Sequence, residues 1–236
     1  MINVAVLGAS GRMGTTVSRA IDATDDLKLV DSVSQALVAV EFTVPSATEA
    51  NVHSLIDAGV HAVVGTSGWT DDALARVRDH LDSAPGVGVL IAPNFALSAV
   101  LSMRFAAMAA PYFESVEIIE LHHPDKIDAP SGTAVHTAKG VAAARAAKGV
   151  GPSPDATTHD PEGARGAMVD GINVHAVRLR GLTAHEEVLL GNPGEQLTIR
   201  TDSFDRLSFV PGVLLGIREV ANHPGLTVGL DAYLAL

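Results

Sequence analysis

Ile2–Gly14 reads I-N-V-A-V-L-G-A-S-G-R-M-G. A short apolar run, Ile2–Leu7, ends in glycine, which is the pattern of a buried strand. Gly8, Gly11 and Gly14 then open a helical stretch that reaches about Ala23. Strand, glycine turn and helix make the first half of a βαβ unit. Working outward, Leu27–Asp31 and Ala36–Thr43 are predicted strands. Ala47–Ala58 is a helix stopped by Gly59. His61–Val64 is a strand, Asp71–Leu81 a helix and Val87–Ile91 a strand. This alternation predicts an α/β, doubly wound parallel sheet over roughly the first 95 residues.

The pattern changes after that. Leu97–Ala110 is a long Ala/Met-rich helix, Ser115–His123 a strand and Gly132–Lys148 a second Ala-rich helix. Gly149–Gly171, rich in Pro, Gly, Asp and Thr, reads as a long loop. Three strand-like runs follow, His175–Arg180, His185–Leu190 and Gln196–Thr201. They are joined by G-L-T-A and G-N-P-G-E, turn chemistry of the hairpin kind. The expectation is a Rossmann-like domain at 1–97 and a smaller α+β domain with an open mixed or antiparallel sheet at 98–205. A helix at Gly212–Asn222 and a strand at Leu226–Leu230 pack back on the first domain, which therefore includes 206–236.

Composition removes several function classes. The chain has 236 residues, a net charge of −11 and 47% hydrophobic residues. That charge argues against a surface built to coat nucleic acid or an anionic membrane. The absence of cysteine excludes a disulfide scaffold, a thiolate metal site and a catalytic thiol. The longest uncharged run, Ser83–Met103, contains Pro85, Gly86, Gly88, Pro93 and Asn94. It reads as strand, loop and helix start, not as a membrane span. No basic n-region precedes an apolar stretch, so a cytoplasmic protein is expected.

Two places carry chemistry. At the first βα turn, glycines let backbone N–H groups approach a pyrophosphate, and the helix N-terminus adds positive potential. The spacing G-x-x-G-x-x-G is looser than the dinucleotide fingerprint; close helix–strand packing accounts for it equally. Asp31, at the end of the second predicted strand, stands where such sites hold an acidic residue on the adenosine ribose. Gly65-Thr66-Ser67 and Ala92-Pro93-Asn94-Phe95 end further strands on the same edge, where ligands of open α/β sheets bind.

The second place is E-L-H-H-P-D-K-I-D-A-P-S-G-T, Glu120–Thr133. Histidine is the acid/base with an ordinary pKa nearest neutrality. Lys126 is a point cation suited to binding a carboxylate or donating a proton. Ser131, Gly132 and Thr133 form a helix N-terminal turn, which binds anions through backbone N–H groups. Together they describe a site for a small anionic substrate that needs protonation. Adjacent His122 and His123 point to opposite faces of a strand, which disfavours a shared metal; no metal site is expected. H-E-x-x-H, G-x-S-x-G and Walker A motifs are absent. A dehydrogenase of amino or dicarboxylic acids and a non-catalytic nucleotide sensor both remain compatible with the glycine turn. The sensor has no need of a proton donor.

Glu120–Ala134 resembles the signature of the 4-hydroxy-tetrahydrodipicolinate (dihydrodipicolinate) reductase family, actinobacterial branch. The likeness extends to V-A-V-L-G-A-S-G-R-M-G, H-A-V-V-G-T-S-G-W, V-L-I-A-P-N-F-A, V-H-A-V-R-L-R-G-L-T-A-H-E-E-V and S-F-V-P-G-V-L. It implies an NADH- or NADPH-dependent reductase of the diaminopimelate route to lysine, with a cyclic dicarboxylate substrate and a homotetramer built through the second domain. By position it implies His122 as proton donor/acceptor and Lys126 as proton donor. It places substrate on His123 and the Gly132–Thr133 backbone, and the helix-turn reading adds Ser131. Cofactor falls to Gly8, Ala9, Ser10, Gly11, Arg12 and Met13, to Gly65, Thr66 and Ser67, and to Ala92, Pro93, Asn94 and Phe95. Between Leu29 and Glu41 the chain is roughly ten residues shorter than actinobacterial relatives. The loss falls where the family's ribose-binding acid lies.

Overall fold

The computed structural model describes residues 1–234. The chain divides into two compact units, Met1–Leu97 with Arg206–Leu236, and Ser98–Asp205. Residues 235 and 236, which the sequence reading places in the first domain, lie outside the described residues.

The first unit is a six-stranded, all-parallel sheet in the order β11-β5-β4-β3-β1-β2. Its strands are β1 (Ile2–Leu7), β2 (Leu27–Leu29), β3 (Val38–Glu41), β4 (His61–Val64), β5 (Gly88–Ile91) and β11 (Gly225–Val228). Its helices are α1 (Arg12–Asp22), α2 (Pro45–Asp57), α3 (Asp71–Leu81) and α6 (Val210–Glu219). Strands buried on both faces read as continuous apolar runs, and H-A-V-V and G-V-L-I are buried at every position. One face packs Ala62, Val64, Val89 and Ile91 against Val52, Leu55 and Ile56 of α2 and Val77 and Leu81 of α3. On the other face, Gly216 of α6 lies over Val63 and Leu90.

Local chemistry explains the helix boundaries. Thr70 caps α3 by accepting from the Ala73 N–H at 3.2 Å, with Asp71 and Asp72 in the first turn. Pro45 at the first helical position starts α2 two residues before the predicted Ala47. The predicted second strand, Leu27–Asp31, shrinks to three residues. Beyond it Ser32 caps a single 3₁₀ turn by accepting from the Ser34 N–H. Only residues 30–37 join β2 to β3.

The second unit is a five-stranded mixed sheet in the order β10-β9-β6-β8-β7. Its strands are β6 (Ser115–His122), β7 (Ala167–Val169), β8 (Ile172–Arg178), β9 (Ala184–Asn192) and β10 (Glu195–Ser203). α4 (Leu97–Ala109) and α5 (Gly132–Ala147) complete it. Ala106 of α4 and Ala134, Ala138 and Val141 of α5 pack on Val116, Ile118, Val174, Val188 and Leu190 of the sheet. Small helix residues let the helix backbones approach the sheet closely.

Two expectations for this unit are corrected. The loop predicted over Gly149–Gly171 contains β7, joined to β8 by a two-residue turn. Asp170 and Gly171 there have φ of 48° and 86°, the left-handed pair that Asp-Gly favours. G-L-T-A does not close a hairpin. β6 lies between β8 and β9, parallel to the first and antiparallel to the second. Turn chemistry marks where a chain reverses but says nothing about which strand lies alongside. The G-N-P-G-E turn does close a hairpin, with Asn192 opposite Glu195.

Candidate active site

The glycine turn of the first unit is shaped by the absence of side-chain volume. Gly8 adopts φ +81°, and a Cβ on it would stand 2.3 Å from the Phe42 carbonyl oxygen. A Cβ on Gly14 would stand 2.0 Å from the Gly8 carbonyl oxygen. Gly11 donates its N–H to that same oxygen at 2.9 Å and is the N-cap of α1. The leading N–H groups and positive dipole end of α1 have no side-chain cap and no acidic residue in the first turn to offset them.

Beside this turn lies a cavity of about 340 Å³. Gly11, Arg12, Met13, Gly65, Thr66 and Ser67 line it, together with Phe42, Thr43, Pro45 and Arg206. The Thr66 hydroxyl accepts the Thr43 N–H at 2.9 Å and so joins the ends of β3 and β4. Gly65 leaves room for the Phe42 ring, which a Cβ would meet at 2.0 Å. The absence of a side-chain cap on α1, the glycines of the turn and the two arginines fit a dinucleotide phosphate.

The other predicted cofactor residues are spread more widely. Gly8, Ala9 and Ser10 form the turn without lining the cavity. Ala92 and Phe95 are buried in the core, with Phe95 5.9 Å from the Phe42 ring. Asn94 Oδ1 accepts the Ala96 N–H at 2.8 Å, and Pro93 is exposed. Asp31 is exposed two residues past β2 and does not line the cavity. Phe42, Thr43, Pro45 and Arg206 were missed by the sequence reading. E-F-T-V-P ends a predicted strand on the same edge as the other loops, a usable signal. Arg206 is nearly 200 positions from the turn and carries no local signal.

In the second unit the fold gathers the histidine segment around Glu120. His122 ends β6, and its Nδ1 lies 2.6 Å from Glu120 Oε2. Ser131 is the N-cap of α5: its hydroxyl accepts the Ala134 N–H at 3.2 Å and its own N–H donates to Glu120 Oε1 at 3.0 Å. Arg178 of β8 donates to both Glu120 oxygens, at 2.7 and 2.8 Å, and to the Asp128 carbonyl oxygen at 2.7 Å. Lys126 Nζ donates to Asp128 Oδ1 at 2.7 Å. His123 and Gly132 are exposed, and Thr133 is half-buried.

Burial alone would raise the Glu120 carboxyl. The hydrogen bonds and charges of Arg178 and His122 outweigh it and hold the group below the usual carboxylate range. Burial drives the His122 imidazole below its ordinary value, more than the bond to Glu120 raises it, and the Lys126 and Arg178 charges push the same way. The Lys126 hydrogen bond keeps the Asp128 carboxyl low. The site thus joins an imidazole, an ammonium and a helix N-terminus, which is the equipment to bind an anion and move one proton. Glu120 and Arg178 had no role in the sequence reading. The available signal was a carboxylate in the inward row Val116, Ile118, Glu120, which requires a partner.

Residues 98–234 match the family model described as dihydrodipicolinate reductase, C-terminus. Residues 2–37 and 31–95 match the one described as dihydrodipicolinate reductase, N-terminus. The chain belongs to the dihydrodipicolinate reductase family. It is 65% identical over 245 positions to the 4-hydroxy-tetrahydrodipicolinate reductase of Beutenbergia cavernae, covering 100% of this chain and 99% of the relative. It is 56% identical over 246 positions to that of Streptomyces coelicolor, covering 100% and 98%. The solved dihydrodipicolinate reductase of Paenisporosarcina sp. TG-14, described as dipicolinate-bound, superposes with a TM-score of 0.87 at 34% identity, covering 99% of this chain and 100% of that one. The chain is thus an oxidoreductase for the 4-hydroxy-tetrahydrodipicolinate reduction step of diaminopimelate and lysine biosynthesis. Its first unit is the family's nucleotide-binding Rossmann domain. The N-terminal model matches in two overlapping pieces, and the alignments are longer than the 236-residue chain. The two pieces overlap at residues 31–37, within the link after β2. Among the described residues no helix is long and apolar enough to cross a membrane. No group of three His, Cys, Asp or Glu among them is placed to hold a metal ion.

Proposed function

We propose that the chain reduces the conjugated imine of a cyclic dicarboxylate on the second unit's histidine segment, using NADH at least as well as NADPH. The observation that carries this reading is the convergence of His122, Lys126 and the Ser131-capped helix N-terminus on one loop. When bound, the nicotinamide supplies the hydride. Gly8–Met13, Gly65–Ser67 and the Ala92–Phe95 backbone hold the dinucleotide, with Arg12 and Arg206 as the cavity's cations. Lys126, His123, Ser131, Gly132 and Thr133 hold the substrate carboxylates. His122 and Lys126 handle the proton that balances the hydride. The dipicolinate-bound relative supports a planar dicarboxylate as the ligand class.

The cofactor preference rests on charge. From Asp31 through Ala75 there is no Lys or Arg, so the segment after β2 has no cation for a 2′-phosphate, and Asp31 repels one. Arg12 and Arg206 allow NADPH to be used as well. The test is kcat/KM for each cofactor, with the unstable substrate made in situ by the preceding synthase. The expected result is a ratio favouring NADH or near one. A preference for NADPH beyond about tenfold, near 1.4 kcal/mol, overturns this part of the reading.

The enzyme works in the cytoplasm as a homotetramer formed through the second unit, whose β10 and β7 leave open sheet edges. Light scattering at micromolar concentration is expected to give four times the mass of one chain, and a monomer contradicts this.

A further inference from the structure

Strand β6 points Val116, Ile118 and Glu120 into the interior. Two aliphatic side chains are thus followed by a carboxylate that is 0% exposed. Such a group survives only with its oxygens fully partnered. Glu120 meets that demand. Oε1 accepts from the Ser131 N–H and Arg178 Nη2, and Oε2 accepts from Arg178 Nη1 and faces His122 Nδ1 at 2.6 Å. With the bidentate arginine against it, Glu120 is an anion and can only accept. The proton in the 2.6 Å contact therefore sits on His122 Nδ1.

The neighbouring carboxyl supports the same charge assignment. Glu186 of β9 lies directly opposite Glu120 across the ladder and is 4% exposed. Thr137 Oγ1 lies 2.8 Å from Glu186 Oε1 and 3.0 Å from the Thr133 carbonyl oxygen. Burial pushes the Glu186 carboxyl up to about 7, whereas Arg178 and His122 hold Glu120 low, so Glu120 is the more strongly ionised of the pair.

We propose that Glu120 is the positioning residue of this reductase site: it locks His122 in the Nδ1–H tautomer and, through Arg178 and the Ser131 N–H, holds the Lys126 loop and the α5 N-terminus in register. Burial holds the imidazole below its ordinary value, so in the resting enzyme at neutral pH the ring is neutral and Nε2 is bare. His122 begins the cycle as an acceptor at Nε2, and the Lys126 ammonium is the group that carries the proton to be delivered. This inference rests on the proposed roles of His122 and Lys126, and refines them.

The test is ¹⁵N NMR of His122 in the full-length enzyme at neutral pH, alongside kinetics of three variants. The expected spectrum has a protonated Nδ1 and an unprotonated Nε2; the opposite tautomer or a doubly protonated ring overturns the proposal. Glu120→Gln keeps the shape and removes the charge. It is expected to mix the tautomers and to lower kcat by about 10²-fold or more with the substrate KM within about threefold. Wild-type kcat with an unchanged tautomer overturns the proposal. Arg178→Lys keeps a charge and breaks the fork, with an expected kcat loss of about tenfold. If Glu120→Gln does not fold, the wild-type spectrum and Arg178→Lys decide: an Nδ1–H tautomer with the kcat loss supports the proposal, and either one missing overturns it. His122→Gln separates the two layers. Full activity there defeats the role assigned to His122, whereas lost activity there with full activity in Glu120→Gln defeats the positioning role alone.

Discussion

The two units build the N-termini of α1 and α5 in opposite ways. In the first, the turn Gly8–Gly14 works by what it lacks: no Cβ at the close approaches, no side chain on the N-cap of α1. In the second, the helix N-terminus at Ser131 is capped, and a buried carboxylate, a guanidinium and an imidazole surround it. Neutral backbone groups tolerate a change of charge nearby but not an added methyl group. A buried charge network tolerates small volume changes but not the loss of one partner. The first design suits a cofactor gripped by its phosphates, the second a reaction in which a proton must move.

Substitutions can break this contrast. The largest effect is expected at Lys126. Lys126→Ala should lower turnover by roughly 10²–10⁴-fold, the range of a positioned acid, while NADH affinity measured by fluorescence titration stays unchanged. Near wild-type turnover removes Lys126 from the chemistry.

Next comes Glu186, whose carboxyl burial pushes up to about 7 from an ordinary 4.5. Between those values the folded chain keeps a proton that the unfolded chain has released. The group's contribution is therefore intact below about pH 4.5 and declines as pH rises to about 7, by about 3 kcal/mol at most. Glu186→Gln mimics the neutral acid and removes that decline. Thermal unfolding should show the variant gaining on the wild-type chain from pH 5 to pH 8. A gap that does not change with pH means that Glu186 is ionised throughout.

The smallest effect is expected at Gly14. Gly14→Ala forces a methyl group against the Gly8 carbonyl oxygen, an overpacking of about 1–3 kcal/mol. NADH binding should weaken by roughly tenfold or more, while dipicolinate affinity, measured by calorimetry without cofactor, stays the same. Equal losses for both ligands would show that the two surfaces are not independently built.

Legibility in the sequence followed the same divide. β1, β4 and α3 have the boundaries read from apolar runs and caps, because those signals are local. The glycine turn and the histidine segment were legible for the same reason. Non-local pairing was not: nothing in G-L-T-A says that β6 lies between β8 and β9. Arg178 reaches Glu120 only because β6 and β8 run parallel, with His122 beside Arg178 in register. Arg206 reaches the cavity only because the chain returns to its first unit. L-K-L-V-D looks extended to Asp31, yet β2 ends at Leu29.

That return has a consequence for biosynthesis of the chain itself. β11 is the neighbour of β5, with Gly225 beside Gly88 and Val228 beside Ile91. Gly88 is so tightly covered that a Cβ would stand 2.1 Å from the Val220 carbonyl oxygen. The ribosome therefore makes the first five strands of this sheet, then the whole of residues 98–205, before it supplies the strand that covers β5. Throughout that interval the nascent chain presents an apolar parallel edge of the kind that recruits other strands. The inserted unit, whose own residues are contiguous, is the part free to fold first.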